Sequence, residues 1–210
     1  MEYKFDIANI YPDLYSADQK RCKLVTVPAM RALSIRGEGE SEGPRFKDSL
    51  AALHGVAYAL KSLPASELGI DDFVNFNVAY LECLWSMKNG TSYDPSKSDQ
   101  LLWELFIVVP GFVTQKLINI AANELTKKMQ NERLAEVHIN TIQEKKSAQL
   151  LHLGSHKTIY RDYEKLQNYI KRIGCKPSAR YHEIYLNDPT STNKSHLKTI
   201  IRQPVVKLAS

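Results

Sequence analysis

Two acidic residues sit where acids are costly to place. Glu183 lies in Tyr181-His182-Glu183-Ile184-Tyr185-Leu186, and Glu82 in Tyr80-Leu81-Glu82-Cys83-Leu84-Trp85. Both stretches read as apolar strands. A carboxylate in the middle of such a strand loses its hydration unless it is hydrogen-bonded or put to use. Burial favours the neutral acid, which suits a carboxyl group to general-base work near neutral pH. The same group also attracts a cationic ligand. An edge position facing water, or an ion pair with Lys or Arg, accounts for the pattern equally well. Strand side chains alternate, so Glu183 and Tyr185 share one face while His182 and Ile184 share the other. Trp85, Trp103 and Tyr58 add aromatic surface, either as ordinary core or as walls around a flat hydrophobic compound.

Other chemistries leave no trace. The chain has no phosphate-cradling glycine-rich loop, Walker motif, nucleophile elbow or zincin pattern. Gly37-Glu38-Gly39 lacks a third glycine and a following helix of the right kind for dinucleotide binding. His152 and His156 have a helical ligand spacing, but the Leu153-Gly154-Ser155 between them reads as a strand end, and no CxxC pair exists. Cys22, Cys83 and Cys175 are too scattered for a disulfide framework. His54, His138 and His196 have no arguable partner. No metal and no organic cofactor is expected.

The elements that must position these residues recur. Residues 1–21 read as an N-terminal arm or short helix. Two strands follow, Leu24–Val27 and Arg31–Arg36, separated by Pro28. Phe46, Leu50, Leu53, Ala57 and Leu60 then mark one face of a helix between Pro44 and Pro64. Strands are expected at Phe73–Trp85 and Leu101–Val109, with a loop at Lys88-Asn89-Gly90 and Asp94-Pro95. A connecting helix at about 112–130 carries Leu117, Ala121, Leu125 and Met129. The same five elements then repeat: strands Leu134–Ile142 and Ala148–Leu153, a helix with Ile159, Tyr163, Leu166, Ile170 and Ile173, and strands Tyr181–Leu186 and Leu197–Arg202. The two main helices have identical apolar spacing, shifted by 113 residues. The expected fold is α+β: two ββαββ halves, about 22–110 and 131–210, forming a single domain with pseudo-twofold symmetry and a central cleft. The antiparallel sheets would be covered by the two main helices.

Composition agrees with a globular chain. Of 210 residues 43% are hydrophobic and 24% charged, and the longest apolar runs, Val56–Leu60 and Leu105–Val109, are far below a membrane span. Met1-Glu2-Tyr3-Lys4-Phe5-Asp6 lacks the apolar core of a secretory signal. A cytoplasmic protein without membrane contact is expected. Residues 106–210 hold 17 basic and 8 acidic side chains, against 11 and 15 in residues 1–105. The lysines are scattered, without a recognition-helix pattern, so a solvated surface is expected and nucleic acid is not.

The motifs also resemble a known family. They are Val25-Thr26-Val27-Pro28-Ala29-Met30, Gly37-Glu38-Gly39, Ala57-Tyr58-Ala59-Leu60-Lys61, Leu81-Glu82-Cys83-Leu84-Trp85 and Trp103 through Pro110. Gln149-Leu150-Leu151-His152-Leu153-Gly154, His182 through Pro189 and Leu197 through Val205 complete them in order. The chain resembles the stand-alone GyrI-like small-molecule-binding proteins. The resemblance implies the duplicated fold shared with the SOUL haem-binding group, although no histidine here is an obvious axial ligand for haem. It implies a pocket for a hydrophobic or cationic aromatic small molecule, with Glu183 as the key carboxylate. Trp85, Trp103, Tyr185 and His182 would be pocket residues, with Glu82 and Tyr58 as further candidates from the reading above. Some stand-alone members look like hydrolases that open the cyclopropane of cyclopropanoid genotoxic natural products. Glu183 would then be the general base, and Tyr185 or Tyr58 would bond the developing phenolate. A non-catalytic drug-sequestering or sensing module is the alternative. Cys83 stands where the family commonly has Gly, and Ser86 where it has a second Trp.

Overall fold

A computed structural model describes residues 4–41, 43–64, 69–70, 73–90, 93–94 and 97–208. Met1–Tyr3 and Pro95, both used in the sequence reading, lie outside the described residues. The elements are α1 (Ile7–Ile10), β1 (Lys23–Val27), β2 (Met30–Glu38), α2 (Pro44–Lys61), β3 (Leu81–Met87), β4 (Leu101–Val108), α3 (Gln115–Thr126), β5 (His138–Ile142), β6 (Lys145–Leu153), α4 (Ile159–Arg172), β7 (Cys175–Pro177), β8 (Tyr181–Tyr185) and β9 (Lys198–Lys207).

The strands join into one nine-stranded sheet rather than separate sheets, in the order β1-β6-β9-β8-β3-β4-β2-β5, with β7 on β9. Exchanging β1, β2, β3 and β4 for β5, β6, β8 and β9 reverses that order onto itself. The pseudo-twofold axis therefore passes between β3 and β8. Each outer strand is lent across the axis: β1 pairs with β6, and β5 with β2. At the centre Cys83 lies opposite Glu183, Glu82 opposite Ile184 and Leu84 opposite His182.

Both sheet faces are covered, so the central strands read as nearly continuous apolar runs. One face carries α2, α3 and α4. Proline is favoured in the first helical turn, where its missing N–H is no loss, and Pro44 opens α2 there. Its stripe of Phe46, Leu50, Leu53, Ala57 and Leu60 packs into a core with Leu105, Ile107, Leu166 and Ile170. The other face is closed by the N-terminal arm. Ile7, Leu14 and Tyr15 pack there on Ala32, Leu84, Phe106 and Ile184. Asp6 caps α1 by accepting from the backbone N–H groups of Ala8 and Asn9.

Two expected strands are shorter than the sequence suggests. Of the expected Phe73–Trp85 strand only residues 81–85 are in the sheet, where β3 runs on to Met87, and Phe76 makes an isolated bridge to Phe5. Residues Glu132–Glu136 form a 3-10 turn before β5. At Gly37, one residue before the end of β2, a Cβ atom would collide with the Trp103 ring, which explains a glycine there. Among the described residues no helix is long and apolar enough to cross a membrane.

Candidate functional site

The helix face of the β3–β8 pair opens into a cleft of about 1580 Å³. Trp85 of β3, Tyr181 of β8, Tyr163 of α4, Tyr93 from the loop after β3, and His156 form its aromatic wall. Tyr93 stacks on Tyr181 at 4.4 Å between ring centroids, and Tyr163 meets Tyr181 edge-on at 5.0 Å. His156 sits 6.3 Å from Trp85. The turn that delivers His156 is built locally. Gly154 takes φ +110 as β6 ends, a conformation that glycine adopts freely. The Ser155 hydroxyl then accepts from the Lys157 N–H, and the Thr158 hydroxyl donates to the Ser155 carbonyl.

Glu183 lies immediately behind this wall and is fully buried. The Tyr185 hydroxyl donates to its Oε2 at 2.9 Å. His156 Nδ1 stands 3.5 Å from the same oxygen, at ion-pair distance, with its side chain 32% exposed. Oε1 has no hydrogen-bond partner among the described residues, and neither have the Tyr181 and Tyr93 hydroxyls or the Trp85 indole nitrogen. Burial, with the Glu183 charge next in importance, pushes the Tyr93, Tyr181 and Tyr185 hydroxyls well above the usual tyrosine range. They are therefore neutral, and Tyr185 alone donates to the acid among the described residues. Burial and the same charge keep the Cys83 thiol protonated.

The opposite face of the same strand pair carries a second polar cluster. His182 Nε2 stands 2.9 Å from Glu82 Oε2, and its Nδ1 stands 2.9 Å from Glu144 Oε2. Tyr15 donates to Glu82 at 2.9 Å, and Arg202 NH1 lies 3.5 Å from Glu144. Arg202 also donates to Gln149 and to the Leu14 carbonyl. Burial alone would lower the His182 pKa, but Glu144 and Glu82 outweigh it and raise it. Burial likewise works against the Glu144 charge, yet His182 and Arg202 hold its pKa low.

The seven residues singled out from sequence thus separate. Trp85 lines the cleft, and Glu183 with its partner Tyr185 is buried behind the wall without lining it. Glu82 and His182 belong to the arm-side cluster, because one residue along a strand reverses the face. Trp103 is core, buried against Phe46 at 5.2 Å and over Gly37, and it does not line the cleft. Tyr58 projects from α2, 56% exposed, and is also absent from the lining. Sequence reasoning missed His156, Tyr93, Tyr163 and Tyr181 as wall residues. Tyr163 was legible only as a core position of its helix, and His156 contacts an acid 27 residues downstream, beyond any local pattern.

A family model described as GyrI-like small molecule binding domain matches residues 21–206. The chain belongs to the GyrI-like family. A solved structure of a hydrolase from Listeria innocua is 25% identical to this GyrI-like chain, with a TM-score of 0.82, and covers 97% of this chain and 100% of its own. An uncharacterized conserved protein from Listeria innocua has the same identity and coverage and a TM-score of 0.84. The EcmrR C-terminal domain, 16% identical over 90% of this chain and 98% of its own, has a TM-score of 0.61 and is alike in fold alone. No curated protein matches the sequence significantly. This GyrI-like chain therefore carries a small-molecule-binding domain on an α+β fold.

Proposed function

We propose that this GyrI-like protein is a hydrolase that opens an electrophilic cyclopropane in a flat, apolar molecule. The observation that carries the reading is the buried Glu183 carboxylate behind His156, at a wall of Trp85 and three tyrosines. The hydrolase from Listeria innocua, which shares the fold at 25% identity, supports the reaction class. A cyclopropanoid genotoxic natural product is the substrate class that fits a strained ring fused to an aromatic body.

Aromatic walls stack such a body and keep bulk water from it. The attacking water lies against His156, the half-exposed member of the pair. As its oxygen bonds to the cyclopropane methylene, the ring carbon–carbon bond breaks and its electron pair moves through the conjugated system onto the carbonyl oxygen. The water proton passes to His156, with Glu183 holding the charge behind it as the ultimate base. The developing phenolate needs a neutral donor. Tyr185 is committed to Glu183, and Tyr58 is outside the cleft, so Tyr181 is assigned that role. Release of the proton from His156 and uptake of one proton by the phenolate from solvent complete the addition of one water and restore the base.

Turnover of a cyclopropanoid by purified protein tests the proposal. Glu183→Gln should lower kcat by about 10²–10⁴, the usual range for loss of a general base. Full turnover by that variant would remove the assignment. A second reading, sequestration without chemistry, is favoured by the same geometry, since a carboxylate among aromatic faces also binds cations. Release of product beyond one equivalent of protein separates the two.

A further inference from the structure

A smaller cleft of about 600 Å³ lies on a different face of α4 from the one that lines the aromatic site. Its floor is apolar, made by the half-buried Cys22 and Tyr169 and the buried Leu150. Its rim is cationic: Lys20 and Arg21 approach from the chain before β1, and Lys165 and Arg172 from α4. Lys165, Tyr169 and Arg172 are spaced by four and three residues, so they stand along one helix face. Two chain segments thus bring four cationic residues to the rim of one concavity.

The acids nearby are already engaged. Asp162 accepts from Lys165 at 2.6 Å and meets His152 at 2.8 Å. Asp18 accepts from the backbone N–H groups of Lys20 and Arg21, which fixes the turn that presents those two side chains. Among the described residues no carboxylate lies within ion-pair distance of the Lys20, Arg21 or Arg172 side chains. Arg172 is held with its guanidinium 5.5 Å from the centre of the Tyr169 ring, partly pre-oriented over the floor. Burial raises the Cys22 thiol pKa, with Arg172 and Lys165 pulling against it, so both cations act at the cleft floor.

Three cations, Lys20, Arg21 and Arg172, border an apolar floor without a paired carboxylate among the described residues, and Lys165 is paired with Asp162; such a cleft is matched by one kind of guest. We infer that this cleft is a second binding site, for a small amphipathic anion with a flat apolar body and a phosphate-type group. The body covers Leu150 and Tyr169, and the phosphate oxygens take the guanidinium donors of Arg21 and Arg172, which suit them geometrically. The volume falls in the range of ordinary small-molecule pockets. The site stands apart from Glu183 and does not depend on the reaction proposed above.

Calorimetric titration of the whole protein in 150 mM salt, roughly the physiological level, tests this with three probes: 2-naphthyl phosphate, inorganic phosphate and 2-naphthol. The aryl phosphate should bind one to one, at least about tenfold more tightly than either fragment, because charge and ring are both used. An Arg21→Gln/Arg172→Gln variant should weaken it at least about tenfold, while Glu183→Gln leaves it unchanged. Both arginines are exposed, so folding is not at stake, and Lys20→Gln supplies a milder variant with a several-fold loss. Equal affinity for inorganic phosphate, or unaltered binding by the double variant, would overturn the inference. So would a 20-base-pair duplex binding more tightly than the aryl phosphate through the same arginines.

Discussion

The two faces of the β3–β8 pair solve the burial of a carboxylate in opposite ways. On the arm side, Glu82 and Glu144 are matched by His182 and Arg202, with Tyr15 and Gln149 taking further hydrogen bonds. Two acids and two bases face one another beside the arm, although Glu144 Oε1 and His182 Nε2 have no hydrogen-bond partner among the described residues. On the cleft side, Glu183 has three neutral tyrosines and one half-exposed histidine, with no Lys or Arg within ion-pair distance among the described residues. The pseudo-twofold sharpens the contrast. It makes His182 the counterpart of Glu82, so the arm-side pair is a contact across the axis, whereas the counterpart of Glu183 is Cys83. A compensated network holds an element in place. An uncompensated acid beside a cleft retains the capacity to act on a guest.

Breaking the compensated side should give the largest effect. Arg202→Met leaves Glu144 buried with one cation fewer and strips a donor from Leu14 and Gln149. Loss of one partner from a buried charge pair typically costs about 3–5 kcal/mol, to be read as a lowered midpoint in urea. The next effect is pH-dependent. The His182 pKa is raised in the folded protein, so its contribution is complete below about 6.5, the usual histidine value, and is lost as pH rises through the folded value. Glu144 is lowered, so its contribution is present above the usual carboxylate range and lost as pH falls through the folded value. The stability gap between wild type and His182→Gln should therefore narrow as pH is raised above neutrality. A gap that stays constant across that range would place no charge on His182.

The same strand pair shows what the sequence could and could not carry. Both main helices were legible, because five apolar positions at a 3.6 period repeat 113 residues apart and such a signal is local. Strand membership was less so. Residues 73–80 look like strand, yet only pairing, which the sequence does not encode locally, separates an extended chain from a ladder. The site hung on register. Aligning the halves by their glutamates equates Glu82 with Glu183, a shift of 101 residues. The structure pairs Cys83 with Glu183 instead, and that single step sends Glu82 to the other face. Alternation along Tyr181–Tyr185 had already separated His182 from Glu183, and the structure keeps them on opposite faces. His156 and Tyr93 come from turns, where no period marks a residue as facing a site.

Sharpening the cleft side calls for smaller effects. Glu183→Gln keeps the shape and the Tyr185 contact while removing an acid that pairs with no Lys or Arg among the described residues. Its stability should stay within about 1 kcal/mol of wild type, in contrast to Arg202→Met, because no partner is stranded. A cost as large as that of Arg202→Met would mean that Glu183 is as structural as its arm-side neighbours. The smallest effect belongs to Tyr58→Ala. The ring is 56% exposed on α2, and among the described residues its one ring contact is with His54 at 6.4 Å. Surface changes of this kind fall within about 0.5 kcal/mol. Turnover should be unchanged too, since the phenolate donor is assigned to Tyr181 inside the cleft. A large loss of kcat in Tyr58→Ala, without a fall in stability, would bring α2 over the substrate and return the donor role to Tyr58.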